Sequence, residues 1–132
     1  MSWIVNRQGI RADTDGAADG NALTLEPGAT VPEARADALP GLLRIRFAAM
    51  GDGRGFSLAR RLRAMGYAGR LRAAGPLVAD QFAALARVGF DEVEVSDRMR
   101  ARLPPDARLV GPGGYRERLT GDGGLSGGRE TG

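Results

Sequence analysis

The stretch LLRIRFAAMGDGRGFSLARRLRAMGYAGRLRAAGPLVADQFAALARVGFDEVEV, residues 42–95, decides the fold. It holds three short runs with β-strand character, near residues 42–49, 70–74 and 92–95, separated by two segments whose apolar residues recur at helical spacing. Strand–helix–strand–helix–strand with such short links is typical of a right-handed parallel unit. We therefore predict an α/β fold built on a small parallel βαβαβ unit.

Glycine, proline and serine place the ends of the two predicted helices. The Gly-rich loop 51–55 precedes the first helix, with Ser57 as its expected N-cap and Gly66 as its stop. The second helix is expected to begin at Gly75-Pro76, because proline is well placed in a first turn, and to end at Gly89.

The sequence on either side of this unit has weaker patterns. Residues 1–40 are interpreted as an irregular β region with short strands near 3–5 and 23–25, and with one helical turn after Pro32. Ser96 is a candidate cap for a short helix over 97–103.

The predicted domain organisation follows from these patterns. We expect a single α/β domain over residues 1–119, in which 1–40 form the N-terminal β region and 41–96 the core. The Gly-rich tail, residues 120–132, is expected to be disordered.

The composition removes several classes of chemistry. The 132 residues include no cysteine and no histidine, which excludes disulfides, thiolate nucleophiles, protein-ligated iron–sulfur clusters and the common structural zinc sites. All 19 cationic side chains are arginine, so an anion site would use guanidinium groups, backbone amides or helix ends. We predict no metal and no cofactor. The N-terminus does not resemble a signal peptide and no apolar run could span a membrane, so we expect a soluble cytoplasmic protein.

Charge is unevenly distributed along the predicted unit. Residues 44–72 contain eight arginines and one acid, Asp52, whereas residues 91–97 contain four acids and no base. We expect one end of the unit to be basic and the other acidic. A nucleic-acid partner is disfavoured, because the basic segment lacks interleaved exposed aromatics and any nucleic-acid motif.

A set of separated residues recurs in type and spacing with those of a known family: 52–60, Leu62, Arg63, 66–73, Gly75, 80–82 and 89–91. With these residues the stretch resembles one bacterial family, the domain-of-unknown-function 934 family. The resemblance implies a pathway, since members are typically encoded beside the haemoprotein subunit of assimilatory sulfite reductase and labelled as oxidoreductases of sulfite reduction. The chain departs from the family at Met50-Gly51, where members usually have an aromatic residue followed by Thr or Ser. If that hydroxyl were catalytic, this member would be impaired.

The Gly-rich loop is the first candidate site. It joins the carboxyl end of a parallel strand to a helix N-terminus, where α/β folds bind ligands and where free amides suit a small oxyanion. A tight turn in which Asp52 pairs with an arginine explains the same residues. Arg72 belongs to the next strand, and it either converges with Arg54 or forms a structural bridge to Asp52 or Asp80. The candidate residues for anion or partner binding are Asp52, Gly53, Arg54, Gly55, Ser57, Arg72, Asp80 and Gln81.

Arg60, Arg61 and Arg63 form a second candidate surface, on the helix flank away from the apolar residues. Such a run is either a solvated face or a docking surface for an acidic partner. Three functions remain open. The first is an accessory protein that docks on the sulfite reductase haemoprotein or another sulfate-assimilation enzyme. The second is a binding protein or enzyme for sulfite, sulfate or adenylyl sulfate. The third is a βα fragment that completes its sheet as a homodimer. Whether the chain is an enzyme is left open.

Overall fold

The computed structural model describes residues 2–14, 22–31, 35–49 and 51–110. A 3-10 turn at Ala36–Ala38 follows Pro32, as predicted. The departure at Met50 and the predicted disordered tail lie outside the described residues.

The described chain forms six strands and three helices. The strands are β1 (Ser2–Val5), β2 (Ile10–Ala12), β3 (Leu23–Leu25), β4 (Leu42–Arg46), β5 (Arg70–Ala74) and β6 (Glu92–Ser96), and the helices are α1 (Gly53–Ala64), α2 (Phe82–Arg87) and α3 (Asp97–Arg102). None of the helices in these ranges is long and apolar enough to cross a membrane.

The strands form a single mixed sheet in the order β2-β1-β6-β5-β4-β3. Strands β3 to β6 are mutually parallel, whereas β1 pairs antiparallel with both β6 and β2. This confirms the predicted α/β fold with its parallel βαβαβ unit. The N-terminal strands extend the sheet at both edges, with β1 and β2 on one side and β3 on the other.

One face of the sheet carries the apolar core. The strand register places Leu43, Leu71 and Val93 on this face. Because side chains alternate along a strand, every second residue of each strand lies on the same face. They pack in one buried cluster with α1 residues such as Leu58 and Leu62. Both crossovers run in the same direction along the sheet, so right-handed connections place both helices on this face.

The opposite face is charged. It carries ion pairs between strands: Arg46 with Glu26, Arg70 with Glu92, Arg72 with both Glu92 and Glu94, and Arg44 with Glu94, which reaches across β5. The expectation of one basic end and one acidic end is therefore wrong. Arg44, Arg70 and Arg72 are separated from the glutamates of β6 along the chain, but the sheet brings them together on one face.

Arg72 lies at the centre of this charged face with 0% of its surface exposed. Its Nε donates to Glu92 Oε2 at 2.7 Å, and its Nη1 lies 3.5 Å from carboxylate oxygens of Glu94 and of Asp13. A buried cation requires such partners, since transfer of an unpaired charge out of water is very costly.

The second helix starts later than predicted. Gly75-Pro76 is a loop, Ala79–Gln81 forms a 3-10 turn, and α2 begins only at Phe82. Val78 is extended, with its backbone N–H donating to the side-chain oxygen of Gln81, so the chain turns there before helical bonding begins. The predictions for α3 are confirmed, because Ser96 Oγ accepts from the Met99 amide and caps the helix.

Candidate functional site

The carboxyl end of β4 leads directly into the first turn of α1, and Asp52 determines how the helix begins. One carboxylate oxygen of Asp52 accepts from the Arg54 backbone amide at 3.1 Å, and the other accepts from the Ala48 amide at 3.1 Å. Asp52 is therefore the N-cap, and the prediction of Ser57 as the cap is wrong. With its cap at Asp52, the helix begins about one turn before Ser57. Ser57 therefore lies within the helix, where its side chain is exposed.

Asp52 also holds the Arg54 side chain. Arg54 donates through Nε to Oδ1 at 2.9 Å and through Nη2 to Oδ2 at 3.2 Å, a two-point contact typical of arginine and carboxylate. The Asp52 side chain is only 6% exposed, whereas that of Arg54 is 60% exposed. The pair thus presents a guanidinium group at the surface on a fixed anchor.

The same contacts should make the start of α1 sensitive to acid. The Arg54 hydrogen bond, followed by those of the backbone amides, lowers the pKa of Asp52 to about 2. A carboxyl group with a folded pKa below its unfolded value stabilises the fold above the unfolded pKa, and this contribution is lost as pH falls. We expect the Arg54 amide signal in a two-dimensional NMR titration to shift with a midpoint near pH 2. The shift should be absent in Asp52→Asn, and a midpoint at the ordinary carboxyl value would contradict the pairing.

A cavity of about 580 Å³ lies beside this first turn. Its walls come from the loop after β3 and from one side of α1, and the lining residues are Gly28, Ala29, Thr30, Gly53, Arg54, Ser57, Leu58 and Arg61. The structure therefore brings Gly53, Arg54, Ser57 and Arg61 together around one space. Two hydroxyl groups, two guanidinium groups and apolar side chains line it, a combination suited to an anion with an apolar part.

Thr30 and the loop around Gly28 are members of this site that the sequence analysis missed. Gly28 has φ +84°, and a Cβ built there would lie 3.0 Å from Arg54 Nη1, so glycine leaves room for the arginine. The sequence does predict a strand near residues 23–25, just before this loop. Only its parallel pairing with β4 shows that its carboxyl end opens on the same edge as α1.

Gly53 and Gly55 play different parts in the loop. A Cβ at Gly55 would lie 2.5 Å from the Phe47 ring, so this glycine lets the helix approach the core. A Cβ at Gly53 would meet nothing within 4 Å. Its φ angle is not in the positive range that favours glycine. Gly55 is thus required for packing, whereas Gly53 leaves bare backbone facing the cavity.

The structure does not bring Arg72 to this site. Strand alternation directs Arg72 to the charged face of the sheet, whereas Arg54 belongs to the helix that packs on the other face. The predicted convergence of Arg54 and Arg72 is wrong. The alternative, that Arg72 forms a structural ion pair, is right in kind, but Asp52 and Asp80 are not its partners. Arg72 instead pairs with Glu92, Glu94 and Asp13.

Asp80 and Gln81 lie outside the cavity as well. They belong to the 3-10 turn before α2 rather than to the first turns of a helix that starts at Pro76. Asp80 is exposed there, and the Arg54 side chain is held by Asp52. Gln81 is partly buried and accepts from the Val78 amide, which stabilises the turn.

The three arginines on the flank of α1 divide into two groups. Arg60 and Arg61 are exposed. Arg63 is half-buried and donates to the carbonyl oxygens of Gly89, Tyr67 and Gly69 and to the Asp91 carboxylate. Arg63 therefore joins the end of α1 to the start of β5 and β6. Arg63 therefore stabilises the fold and is not available for docking. Of the three predicted docking residues, only Arg60 and Arg61 are free to contact a partner.

The described residues hold no group of three or more acidic side chains arranged to bind a metal ion. Comparisons of the chain with curated proteins and with solved structures return no match. A third comparison matches residues 22–108 to the family described as "Bacterial protein of unknown function (DUF934)". The matched region reaches from β3 to the segment after α3, beyond the stretch 42–95 on which the resemblance rests. The chain belongs to the DUF934 family of bacterial proteins.

Proposed function

We propose that this chain is an accessory protein of assimilatory sulfite reduction, which docks on the sulfite reductase haemoprotein or a neighbouring enzyme of the pathway. The pathway comes from the family resemblance. The docking surface comes from the exposed side of α1, and we call Arg60 and Arg61 the α1 arginine pair.

The observation that carries this proposal is the pairing of the other arginines. Of the eight arginines in residues 44–72, six are bound to carboxylates: Arg44 to Glu94, Arg46 to Glu26, Arg54 to Asp52, Arg63 to Asp91, and Arg70 and Arg72 to Glu92. Within the described ranges, Arg60 and Arg61 make no ion pair. The basic segment therefore leaves one uncompensated positive spot, which would attract and orient an acidic partner surface.

Docking is favoured over electron transfer by the composition of the chain. Without cysteine or histidine, it lacks the usual protein ligands for an iron–sulfur cluster or a haem. The proposed role is to position or stabilise an enzyme that carries these groups.

The test is direct binding to the haemoprotein subunit from the same host, measured by biolayer interferometry at low and at moderate salt. We expect Arg60→Glu/Arg61→Glu to weaken binding by about tenfold or more at low salt, with a smaller difference at higher salt. The matched control is Arg87→Glu/Arg108→Glu, which makes the same change in net charge at two other exposed arginines. No binding by the wild type, or equal losses in both variants, would overturn the proposal.

A second function is favoured by the cavity beside α1. Arg54 is held on a fixed anchor, and Gly53, Ser57 and Thr30 line the same space. This arrangement supports binding of a small sulfur oxyanion or of adenylyl sulfate, with the apolar wall at Leu58 and Ala29 available to a larger ligand.

Calorimetry with sulfite, sulfate and adenylyl sulfate tests this second function. Arg54→Ala should abolish binding, whereas Arg46→Ala, a carboxylate-paired and exposed arginine on the other face of the sheet, should leave it unchanged. Gly53→Ala should keep or raise stability, since alanine is the better helix former, and should weaken binding by covering the backbone. If the wild type binds none of the three anions, the second function is ruled out.

A further inference from the structure

A second cavity, of about 300 Å³, lies at the opposite edge of the sheet from the start of α1. It opens where the parallel strands β5 and β6 begin and where the β1–β2 turn reverses the chain. Its lining residues are Asn6, Arg7, Gln8, Arg11, Arg70, Asp91 and Glu92, and we call it the amino-edge cleft. The proposed functions use none of these residues.

The turn that forms one wall of the cleft is held by its own hydrogen bonds. Asn6 Oδ1 accepts from the amides of Gln8 and Gly9, at 2.9 and 3.0 Å. The Asn6 carbonyl accepts from the Leu109 amide at 2.8 Å, which ties the turn to the end of the described chain. Arg7 is therefore carried on a fixed backbone.

Glu92 holds two further guanidinium groups at the cleft. Its side chain is only 5% exposed and accepts from Arg70 Nε and Nη2, each at 3.0 Å. Arg11 Nη2 lies 3.9 Å from the same carboxylate. Because Glu92 is buried and shared, both cations are restrained before any ligand arrives, which lowers the entropy lost on binding.

The charges around the cleft leave an excess of positive charge. Three arginines line it, against two carboxylates that already have strong internal partners. Asp91 accepts from Arg63 at 2.7 Å, and Glu92 also accepts from the buried Arg72. Arg7 is exposed and makes no ion pair within the described part of the chain.

We propose that the amino-edge cleft binds the phosphate group of a small phosphorylated molecule or of free phosphate. A phosphate monoester carries a charge of about −1.5 to −2 and three acceptor oxygens, and so can accept from arginines that approach from three elements. A carboxylate, with a single charge and two oxygens, is satisfied by one guanidinium fork. The volume lies at the small end of ligand pockets and exceeds what bare phosphate needs.

Calorimetry on the whole chain with glycerol 3-phosphate and with inorganic phosphate tests the proposal. Wild type should bind both, and tighter binding of glycerol 3-phosphate would identify a phosphorylated molecule rather than the free ion as the preferred ligand. Arg7→Ala should weaken binding by about tenfold or more, because it removes a charged hydrogen-bond donor from an exposed turn. Its melting temperature should stay unchanged.

The matched control is Arg98→Ala, which removes an exposed arginine from α3 without touching the cleft. It should bind phosphate as the wild type does at equal ionic strength. The proposal is overturned if the wild type shows no saturable heat, or if Arg7→Ala and Arg98→Ala lose binding equally. This test does not involve the α1 arginine pair, so its outcome is independent of the docking proposal.

Discussion

Arg72→Ala should lower the free energy of unfolding by about 3–5 kcal/mol, measured by urea denaturation followed by circular dichroism at neutral pH. The reason is the environment of the residues that remain. Glu92 and Glu94 would keep their charges on a face where Glu92 is almost fully buried, and they would lose the cation that lies between them. Removing one member of a buried ion pair is far more costly than removing an exposed pair.

The matched control lies on the same face of the sheet. Arg46 pairs with Glu26 where both side chains are largely exposed, so Arg46→Ala should cost less than about 1 kcal/mol. A double-mutant cycle of Arg72→Met and Glu92→Gln should show a coupling energy of at least about 1 kcal/mol, because the two residues share one network. If Arg72→Ala and Arg46→Ala were equally mild, Arg72 would not be the centre of a buried network.

Gly75→Ala should lower the free energy of unfolding by about 3 kcal/mol, from backbone strain and steric overlap together. Gly75 has φ +123°, a backbone conformation that residues other than glycine rarely adopt. A Cβ there would lie 2.4 Å from the Phe47 carbonyl oxygen. Phe47 cannot easily move away, since its amide donates to the Ala74 carbonyl at 2.8 Å and its ring lies in the core.

Gly9→Ala separates the two causes. Gly9 has φ +141°, but a Cβ there would meet nothing within 4 Å. Its substitution should therefore cost only the strain, about 1 kcal/mol or slightly more. In thermal unfolding, the melting temperature of Gly75→Ala should be clearly lower than that of Gly9→Ala. Equal melting temperatures would contradict the close approach of the β5–α2 loop to Phe47.

The sequence predicts the elements of the fold well where the signal is local. Three strands, the stop of α1 at Gly66 and the cap of α3 at Ser96 all follow from periodicity and capping chemistry over a few residues. The errors arise where two local signals compete. Asp52 and Ser57 are both good N-caps, and Asp52 prevails because its carboxylate also binds the Ala48 amide and the Arg54 side chain.

The candidate site was predicted in part. Asp52, Gly53 and Arg54 do lie at the carboxyl edge of the sheet, beside a cavity. The partner loop with Thr30 was missed, because the place of β3 next to β4 is a contact between distant parts of the chain. The predicted convergence of Arg72 with Arg54 is wrong, since the number of residues to the end of a strand does not show which face of the sheet a side chain occupies.

By itself, the sequence determined the α/β class, the order of strands and helices in residues 42–102, and membership of the family. Only the tertiary structure decided what the Gly-rich stretch and the arginines do. Strand order places Arg44, Arg70 and Arg72 on one face with the glutamates of β6. With the pairs of Arg46, Arg54 and Arg63, six of the eight arginines in residues 44–72 are bound to carboxylates. The physical reason is that helices and strands form from local contacts, whereas charge compensation and cavities depend on which distant elements become neighbours.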